Sequence, residues 1–318
     1  MSTVVRFYQY GPPSVLKVED EIVGTPGPGQ VRLRHEAIGV NFVDTMFRDG
    51  TFTVPLPFVP GIEGAGIVEA LGPDVTGLAV GDRVGYFFAP GSYASVRLIN
   101  ADALIRLPDD ISSERTAAIL AKGLTAWMGV RALYPLKAGE KVLVQGASGG
   151  VGSLVSLWAK ALGATVIGTA GSAAKLDRVA HAIDHVFLSN DPDLPSKVRA
   201  IAPDGVDVVY ELVGQATFAS SLASVRNGGT IVTIGAASGE PNIDKEILAV
   251  RNIHATGGGM PQYVKGPAVA TATAELFDAL RKGILGEIKV TRYPLTDAAR
   301  AHEDIAARRR SGSPILVP

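Results

Sequence analysis

Three glycines follow an apolar segment at a spacing typical of loops that bind phosphate groups. Residues 141–145 read Lys-Val-Leu-Val-Gln, and Gly146, Gly149 and Gly152 come after them, where a helical pattern begins. Free backbone N–H groups at a helix start attract anions, and glycine lets a diphosphate approach the backbone closely. The order is not a strict Gly-x-Gly-x-x-Gly. Its place between a predicted strand and a predicted helix still favours a dinucleotide site over a tight structural turn.

The end of the next predicted strand, residues 165–169, bears on which dinucleotide binds. NAD enzymes usually place an acidic residue about 20 residues past the glycines, where it holds the ribose 2′-hydroxyl. Here Ser172, Lys175 and Arg178 follow instead. A small residue with two cations suits a 2′-phosphate, so the sequence predicts NADPH rather than NADH. For each cation alone, a solvated helix face is the alternative interpretation.

The elements that must position this loop alternate along the middle of the chain. Apolar runs predict strands, and segments with helical periodicity lie between them. This alternation predicts an α/β fold with a Rossmann-type, doubly wound parallel sheet. The predicted strands are residues 141–145, 165–169, 185–188, 206–212 and 230–235, and the predicted helices are residues 151–162, 173–181 and 217–225.

The first third of the chain has a different character. Short strand patterns such as residues 31–36 and 64–71 are separated by glycine and proline turns, which indicates a β-rich, barrel-like domain. The tail has a predicted helix, a strand from residue 290, a helix capped by Thr296 and a last strand at residues 315–317. We therefore predict a first domain at residues 1–119, a nucleotide-binding domain at 120–260, and a return to the first domain at 261–318.

Composition excludes several classes of function. The 318 residues contain 30 basic and 31 acidic side chains, a net charge of −1, which offers no field for nucleic acid or an anionic membrane. No segment reaches the ~18 uninterrupted apolar residues of a membrane helix, and the start lacks a signal-peptide pattern. There is no cysteine, which rules out disulfides and cysteine-ligated zinc and is typical of the cytoplasm. The expected partner is a small molecule.

Ordered matches along nearly the whole chain then identify a family. The chain resembles the zinc-independent quinone oxidoreductases, the zeta-crystallin-like family of the medium-chain dehydrogenase/reductase superfamily. The matching segments are residues 37–44 (Ala-Ile-Gly-Val-Asn-Phe-Val-Asp), 61–68 (Gly-Ile-Glu-Gly-Ala-Gly-Ile-Val), 79–84 (Ala-Val-Gly-Asp-Arg-Val), 122–126 (Lys-Gly-Leu-Thr-Ala), 149–152 (Gly-Gly-Val-Gly), 158–164 (Trp-Ala-Lys-Ala-Leu-Gly-Ala), 209–214 (Val-Tyr-Glu-Leu-Val-Gly), 293–295 (Tyr-Pro-Leu) and 301–303 (Ala-His-Glu).

The resemblance implies a Rossmann domain beside a GroES-like catalytic domain. It implies a homodimeric enzyme that transfers a hydride from NADPH to a quinone. An enone or alkenal double-bond reductase on the same scaffold remains an alternative, and so does a non-catalytic NADPH-binding protein.

Comparison with zinc-dependent members of the superfamily argues against a metal. Those enzymes bind zinc with a cysteine near the position of Asn41 and with the histidine of a Gly-His-Glu segment. This chain has Ile62 at that histidine position and lacks the cysteine-rich lobe, so tetrahedral zinc would have too few nitrogen or sulfur donors. We expect no metal, and we expect the scattered histidines to be surface or packing residues.

The resemblance also implies roles for individual residues. Asn41 and Thr125 are the expected catalytic hydrogen-bond donors, and both are expected to contact the cofactor. The expected substrate contacts are Phe42, Asp44, Thr45 and Met46. The remaining expected cofactor contacts are Ser148, Gly149, Gly150, Val151, Gly171, Ser172, Lys175, Ile234, Gly235, Ala236 and Arg308.

Some of these positions have plainer interpretations, and some depart from the family. Asn41 could tie down its own loop, and Asp44 could cap the following helix. Ser189 stands where the family often has a tyrosine, and Leu212 where it often has a serine. Met46 replaces a tyrosine common in bacterial relatives, which predicts a more apolar acceptor site.

Overall fold

The computed structural model describes residues 1–307 and 312–318, in two units. Unit 1 comprises Met1–Ala121 and Ile288–Pro318, and unit 2 comprises Lys122–Glu287. The predicted contact of Arg308 lies outside the described residues. No helix in the described ranges has the length and apolar character to cross a membrane.

The described strands form two large sheets and one separate two-stranded pair. In chain order they are β1 (Ser2–Arg6), β2 (Lys17–Glu21), β3 (Gln30–Gly39), β4 (Glu63–Leu71), β5 (Arg83–Tyr86), β6 (Val96–Asn100), β7 (Ile105–Arg106), β8 (Lys141–Gln145), β9 (Thr165–Ala170), β10 (His185–Leu188), β11 (Val206–Glu211), β12 (Val225–Thr233), β13 (His254–Gly257), β14 (Val290–Pro294) and β15 (Ser313–Val317).

The α-helices surround or connect these strands. In chain order they are α1 (Phe42–Asp49), α2 (Ser113–Trp127), α3 (Gly150–Ala161), α4 (Ala173–Leu176), α5 (Leu194–Ile201), α6 (Phe218–Ser224), α7 (Lys245–Val250), α8 (Pro267–Arg281) and α9 (Ala298–Ala306). Helix α2 continues into a π-helical segment, Met128–Leu133.

Unit 2 contains the doubly wound sheet that the sequence predicts. Its six strands lie in the order β10-β9-β8-β11-β12-β13, and all its neighbouring strands are parallel. Val142, Leu143 and Val144 of β8 are completely buried, as expected for a central strand covered on both faces. The strand order reverses between β8 and β11, and ligands of such sheets bind at the carboxyl ends of the strands at this switch point.

Unit 1 is β-rich, also as predicted. A seven-stranded sheet runs in the order β14-β15-β3-β4-β5-β7, with β6 also paired to β3, and β1 pairs with β2 separately. Its pairs are antiparallel except for β14 and β15. Val31, Leu33, Val68, Val84 and Tyr86 form one of its cores, because alternate residues of these strands face the same side.

The structure departs from the predicted boundary after the nucleotide-binding domain. The return to unit 1 comes at Ile288 and not at residue 261. Helix α8 belongs to unit 2, where Leu276 occupies the space beside Gly123 and Glu275 forms an ion pair with Arg131 at 3.0 Å. An amphipathic pattern shows that a helix has an apolar face, but it does not specify which sheet that face covers.

Two helix predictions also differ. The predicted helix at residues 173–181 is α-helical only over Ala173–Leu176. The last helix is capped by Asp297 and not by Thr296, because a 3₁₀ turn, Leu295–Asp297, precedes α9. Helix ends are set by local hydrogen bonding, which residue type predicts only within one or two positions.

Candidate functional site

The glycine loop lies at the switch point of the parallel sheet, between the end of β8 and the start of α3. Gly149 is the N-cap of α3 in an extended conformation, and its N–H donates to the carbonyl oxygen of Gly146 at 2.9 Å. A side chain at Gly152 would overlap that carbonyl oxygen, so glycine there is required for the loop to close.

Gly150 has a different environment. It is exposed, and a Cβ atom at this position would have only an ordinary contact, 3.4 Å from Cδ of Lys122. Packing within the protein therefore does not require glycine here, whereas close approach of a ligand to the backbone would. The N–H groups in the first turn of a helix have no intrahelical partners, so the N–H groups of Gly150 and Val151, beside Ser148 and the N-cap Gly149, present a site for an anion.

Lys122 lies beside this loop, and the sequence analysis did not assign it a role. It is buried, and its aliphatic stem lies against Gly150. The signal for it was present in the Lys-Gly-Leu-Thr-Ala segment, residues 122–126. Thr125, three residues later on α2, is half-buried.

The predicted 2′-phosphate residues lie at the carboxyl end of β9. Ser172 is the N-cap of the short helix α4, and its carbonyl oxygen accepts from the N–H of Lys175 at 3.0 Å. Gly171 and Ser172 are exposed and Lys175 is half-buried. The hydroxyl of Ser189 is 4.0 Å from the position of a Cβ atom at Gly171, so this strand end has a polar rim.

The segment after β12 supplies the remaining predicted cofactor contacts within unit 2. Ile234, Gly235 and Ala236 are half-buried, and the N–H of Ile234 donates to the carbonyl oxygen of Glu211 at 2.9 Å. A Cβ atom at Gly235 would lie 2.8 Å from the carbonyl oxygen of Leu212, so glycine allows the two strand ends to approach. The structure thus brings the predicted residues that follow β8, β9 and β12 to one edge of the sheet.

In unit 1, two buried carboxylates hold Asn41. Asn41 is the N-cap of α1, and its backbone N–H donates to Oδ2 of Asp44 at 2.7 Å. Its side-chain Nδ2 donates to Oε1 of Glu63 at 2.6 Å, while Oε2 of Glu63 accepts from the N–H of Ala121 at 2.7 Å. Asn41 is 8% exposed and Glu63 is completely buried. This arrangement fixes the plane of the side-chain amide, and one of its two N–H groups donates to Glu63.

The other predicted substrate residues are in the same helix but differ in environment. Asp44 is completely buried and is engaged at the helix start, and the hydroxyl of Thr45 donates to the carbonyl oxygen of Phe42 at 2.6 Å. Phe42 is 49% exposed and Met46 is half-buried. Phe42 and Met46 therefore contribute accessible apolar surface to α1, as do the half-buried Val43 and Phe47.

A buried chain of hydrogen bonds leads to Asp44 from the C-terminal part of unit 1. Nη1 of Arg48 is 3.4 Å from Nδ1 of His302, Nε2 of His302 is 2.9 Å from Oη of Tyr93, and Oη of Tyr93 is 3.2 Å from Oδ2 of Asp44. Arginine can only donate, so Nδ1 of His302 accepts, its Nε2–H donates to Tyr93, and the Tyr93 hydroxyl donates to Asp44. The chain supports the start of α1, where Asn41 lies.

The electrostatics of this chain follow from its burial. Burial lowers the pKa of His302 to about 3, because the charged imidazolium is disfavoured away from water. Burial raises the pKa of Tyr93 well above its ordinary value, and the neighbouring Asp44 raises it further. At neutral pH the imidazole and the phenol are therefore both neutral. Sequence reasoning expected packing or surface histidines and missed this connection, although the Ala301-His302-Glu303 segment marked it.

Metal binding has no support in the part of the chain that the structure describes. No group of three or more His, Asp or Glu side chains there is placed to hold a metal ion. Ile62, at the position of a zinc ligand in other superfamily members, is a buried core residue.

Comparison with known proteins agrees with this architecture. Residues 27–109 match the alcohol dehydrogenase GroES-like domain family, and residues 150–275 match the zinc-binding dehydrogenase family. The chain is 38% identical to a quinone oxidoreductase of Pseudomonas aeruginosa over 100% of both proteins. It is 37% identical to a 2-haloacrylate reductase of a Burkholderia species, over 98% of this chain and 97% of that protein.

A solved structure is similar over nearly the same length. The quinone oxidoreductase of Escherichia coli, crystallised in complex with NADPH, is 36% identical and superposes with a TM-score of 0.94, covering 99% of this chain and 100% of the other. With full-length identity of this order and both domains in place, the chain belongs to the zeta-crystallin-like quinone oxidoreductase family of the medium-chain dehydrogenase/reductase superfamily.

Proposed function

We propose that this protein is an NADPH-dependent quinone reductase that works without zinc. The observation that carries the proposal is the exposed Gly150 at the start of α3, where the protein itself leaves room for a side chain that the sequence does not provide. The Escherichia coli relative binds NADPH, and several relatives are quinone oxidoreductases. Ile62 and the lack of cysteine support a zinc-free reaction.

Residues of unit 2 are proposed to hold the cofactor. Residues 148–151 bind the diphosphate, with the backbone N–H groups of Gly150 and Val151 as donors, and the stem of Lys122 lies beside Gly150. Gly171, Ser172 and Lys175 receive the 2′-phosphate, with Lys175 supplying the positive charge. Ile234, Gly235 and Ala236 line the cofactor, and Thr125 contacts it at the nicotinamide end. Arg308 is proposed as a further contact.

NADPH, when bound, supplies the hydride. The proposed task of Asn41 is to donate an N–H to the carbonyl oxygen of the acceptor, where negative charge develops. Its second Nδ2 hydrogen serves this purpose, because Glu63 holds the first. Thr125 is the second proposed donor. Phe42 and Met46 provide apolar surface for the acceptor, with Asp44 and Thr45 behind them on α1.

The test is NADPH oxidation by the purified protein with ortho-quinones, para-quinones and alkenals. We expect turnover with at least one quinone class, and no loss of turnover after treatment with a zinc chelator. Failure of every quinone to be reduced, with NADPH bound, would overturn the proposal.

An enone reductase is the second candidate, because the Burkholderia relative is a 2-haloacrylate reductase. The same assay separates the two, since the preferred substrate has the higher kcat/KM. Tight NADPH binding with no turnover of any acceptor would instead indicate a non-catalytic NADPH-binding protein.

We also propose that the protein is a cytoplasmic homodimer. Strand β13 is the edge of the six-stranded sheet, and the preceding α7 exposes Ile247 by 41% and Val250 by 88%. An edge strand beside apolar side chains suits pairing with a second copy of the chain. Sedimentation equilibrium should give twice the mass of the chain, and Val250→Asp should shift it towards monomer. A wild-type monomer would contradict the proposal.

A further inference from the structure

A second buried hydrogen-bond chain lies beneath the glycine loop in unit 2. The ends of three neighbouring strands supply it: Thr169 on β9, Gln145 on β8 and Glu211 on β11, and Ser221 of α6 completes it. All four side chains are completely buried. None of them is among the residues proposed above to touch the cofactor.

The distances define a continuous path. The N–H of Gly146 donates to Oγ1 of Thr169 at 3.3 Å, and the Thr169 hydroxyl donates to Oε1 of Gln145 at 2.6 Å. Nε2 of Gln145 donates to Oγ of Ser221 at 3.1 Å, and the Ser221 hydroxyl donates to Oε2 of Glu211 at 2.6 Å.

Both ends of the path fix its direction. A backbone N–H can only donate, so Thr169 must pass its own hydrogen to Gln145. A carboxylate can only accept, so Ser221 must donate to Glu211 and must accept from Gln145. Along this path each group therefore has one orientation, and the donors point from Gly146 towards Glu211. Nε2 of Gln145 also donates to Oγ of Ser220 at 3.1 Å, off the path. Bonds aligned in this way strengthen one another inside a protein.

Glu211 also organises the neighbouring loop. Its Oε1 accepts from the N–H groups of Val213 and Gly214, both at 2.9 Å, and from the hydroxyl of Thr217 at 2.8 Å. Cγ2 of Val213 would lie 3.1 Å from a Cβ atom at Gly146. One carboxylate thus holds the loop after β11 and, through the chain, the first glycine of the loop after β8.

Gly146 is the point at which this matters for the cofactor. Its backbone is in the left-handed region, with φ of 77°. Its carbonyl oxygen accepts from the N–H of Gly149 and lies where a side chain at Gly152 would overlap it. A shift at Gly146 would therefore move the N–H groups that start α3.

We propose that Thr169, Gln145, Ser221 and Glu211 are positioning residues that set the geometry of the diphosphate-binding loop and thereby the affinity for NADPH. This inference rests on the proposed function. It adds a determinant of cofactor affinity that lies beneath the loop, in residues that are not among the proposed cofactor contacts.

Four variants test it. Thr169→Val removes the hydroxyl from a side chain of the same shape, and Thr169→Ser keeps the hydroxyl. Ser221→Ala breaks the chain at Glu211. The matched control is Ser224→Ala on the same helix, since Ser224 is equally buried but its hydroxyl donates to the carbonyl oxygen of Ser220. For each variant we would measure the NADPH dissociation constant by calorimetry, kcat and KM with a quinone, and thermal unfolding.

We expect Thr169→Val and Ser221→Ala to raise the dissociation constant and KM for NADPH about tenfold, as for loss of one buried hydrogen bond, with kcat unchanged. Thr169→Ser should restore most of the affinity. Ser224→Ala should lower the unfolding temperature about as much as Thr169→Val and Ser221→Ala do, but it should not change KM for NADPH. Unchanged NADPH affinity in Thr169→Val and Ser221→Ala would overturn this inference and leave the proposed function intact. An equal loss of NADPH affinity in Ser224→Ala would do the same. A wild-type protein that bound no NADPH would overturn the proposed function with it.

Discussion

At the scale of single residues, the side-chain amide of Asn41 donates to Glu63 and is also the proposed donor to the carbonyl oxygen of the acceptor. Glu63 accepts one of its N–H bonds at 2.6 Å, and that bond holds the group in one orientation. A donor that is fixed before the reaction stabilises developing charge more effectively than one that must first reorient. The plainer interpretation of Asn41, as a residue that ties down its own loop, is therefore part of the same arrangement.

Removing this donor should slow the reaction. We expect Asn41→Ala to lower kcat with a quinone by about 100-fold, the range found for loss of one such donor. The buried carboxylate of Glu63 would also lose a partner, at a cost of roughly 1–3 kcal/mol in the free energy of unfolding. Steady-state kinetics and urea unfolding measure the two effects separately. An unchanged kcat would show that Asn41 only supports its loop.

The charge of Lys175 should decide between the two pyridine nucleotides. We expect Lys175→Ala to raise KM for NADPH about tenfold or more and to leave KM for NADH unchanged, because only NADPH carries the 2′-phosphate. The matched control is Lys137→Ala, which removes an exposed lysine elsewhere in unit 2. Equal changes for both nucleotides in Lys175→Ala would contradict the assignment.

At the scale of elements, the start of α3 has two glycines, Gly150 and Gly152, whose surroundings differ. Gly152 is required for the loop to close against the carbonyl oxygen of Gly146. Gly150 has room for a methyl group, so packing within the protein does not require glycine there, and the proposed diphosphate site does. The spacing of the glycines in the sequence does not separate these two cases, whereas the packing around each one does.

This contrast gives a prediction for stability and binding. Gly150→Ala should leave the free energy of unfolding unchanged or raise it by roughly 0.4–1 kcal/mol, since alanine restricts the unfolded chain. The same change should weaken NADPH binding at least tenfold, because the methyl group occupies the place of the diphosphate. Gly152→Ala should instead destabilise the fold. Thermal unfolding with and without NADPH distinguishes them, and normal NADPH affinity in Gly150→Ala would exclude the proposed site.

At the scale of the whole molecule, two buried histidines link stability to pH. Burial lowers the pKa of both His35 and His302 from 6.5 to about 3. Below pH 6.5 the unfolded chain therefore binds protons that the folded chain does not bind. The stabilisation is fully present above pH 6.5 and is lost as the pH falls towards 3.

We expect the free energy of unfolding to fall by about 1.4 kcal/mol per pH unit for each histidine between roughly pH 6 and pH 4. Urea titrations at a series of pH values would measure this slope. His302→Gln should reduce the contribution of the two histidines by about half, whatever its effect on absolute stability. An identical slope in wild type and His302→Gln would show that His302 is not held neutral.

The sequence alone predicted five of the six strands of the parallel sheet, although not β13, together with the glycine loop between β8 and α3 and the family. Apolar runs and glycines report local backbone requirements, and those are present in a short stretch of chain. Apart from Thr125 on α2, the predicted site residues of unit 2 follow strands β8, β9 and β12. The carboxyl ends of these parallel strands lie at one edge of the sheet, so the residues lie at that edge.

Only the tertiary structure decided which distant side chains become partners. The Tyr93–His302 contact joins residues far apart in the chain, as does the contact between Gln145 and Ser221. It also placed α8 in unit 2 and separated the role of Gly150 from that of Gly152. Burial and hydrogen-bond pairing depend on how elements pack, so a residue's type and neighbours in sequence do not specify them.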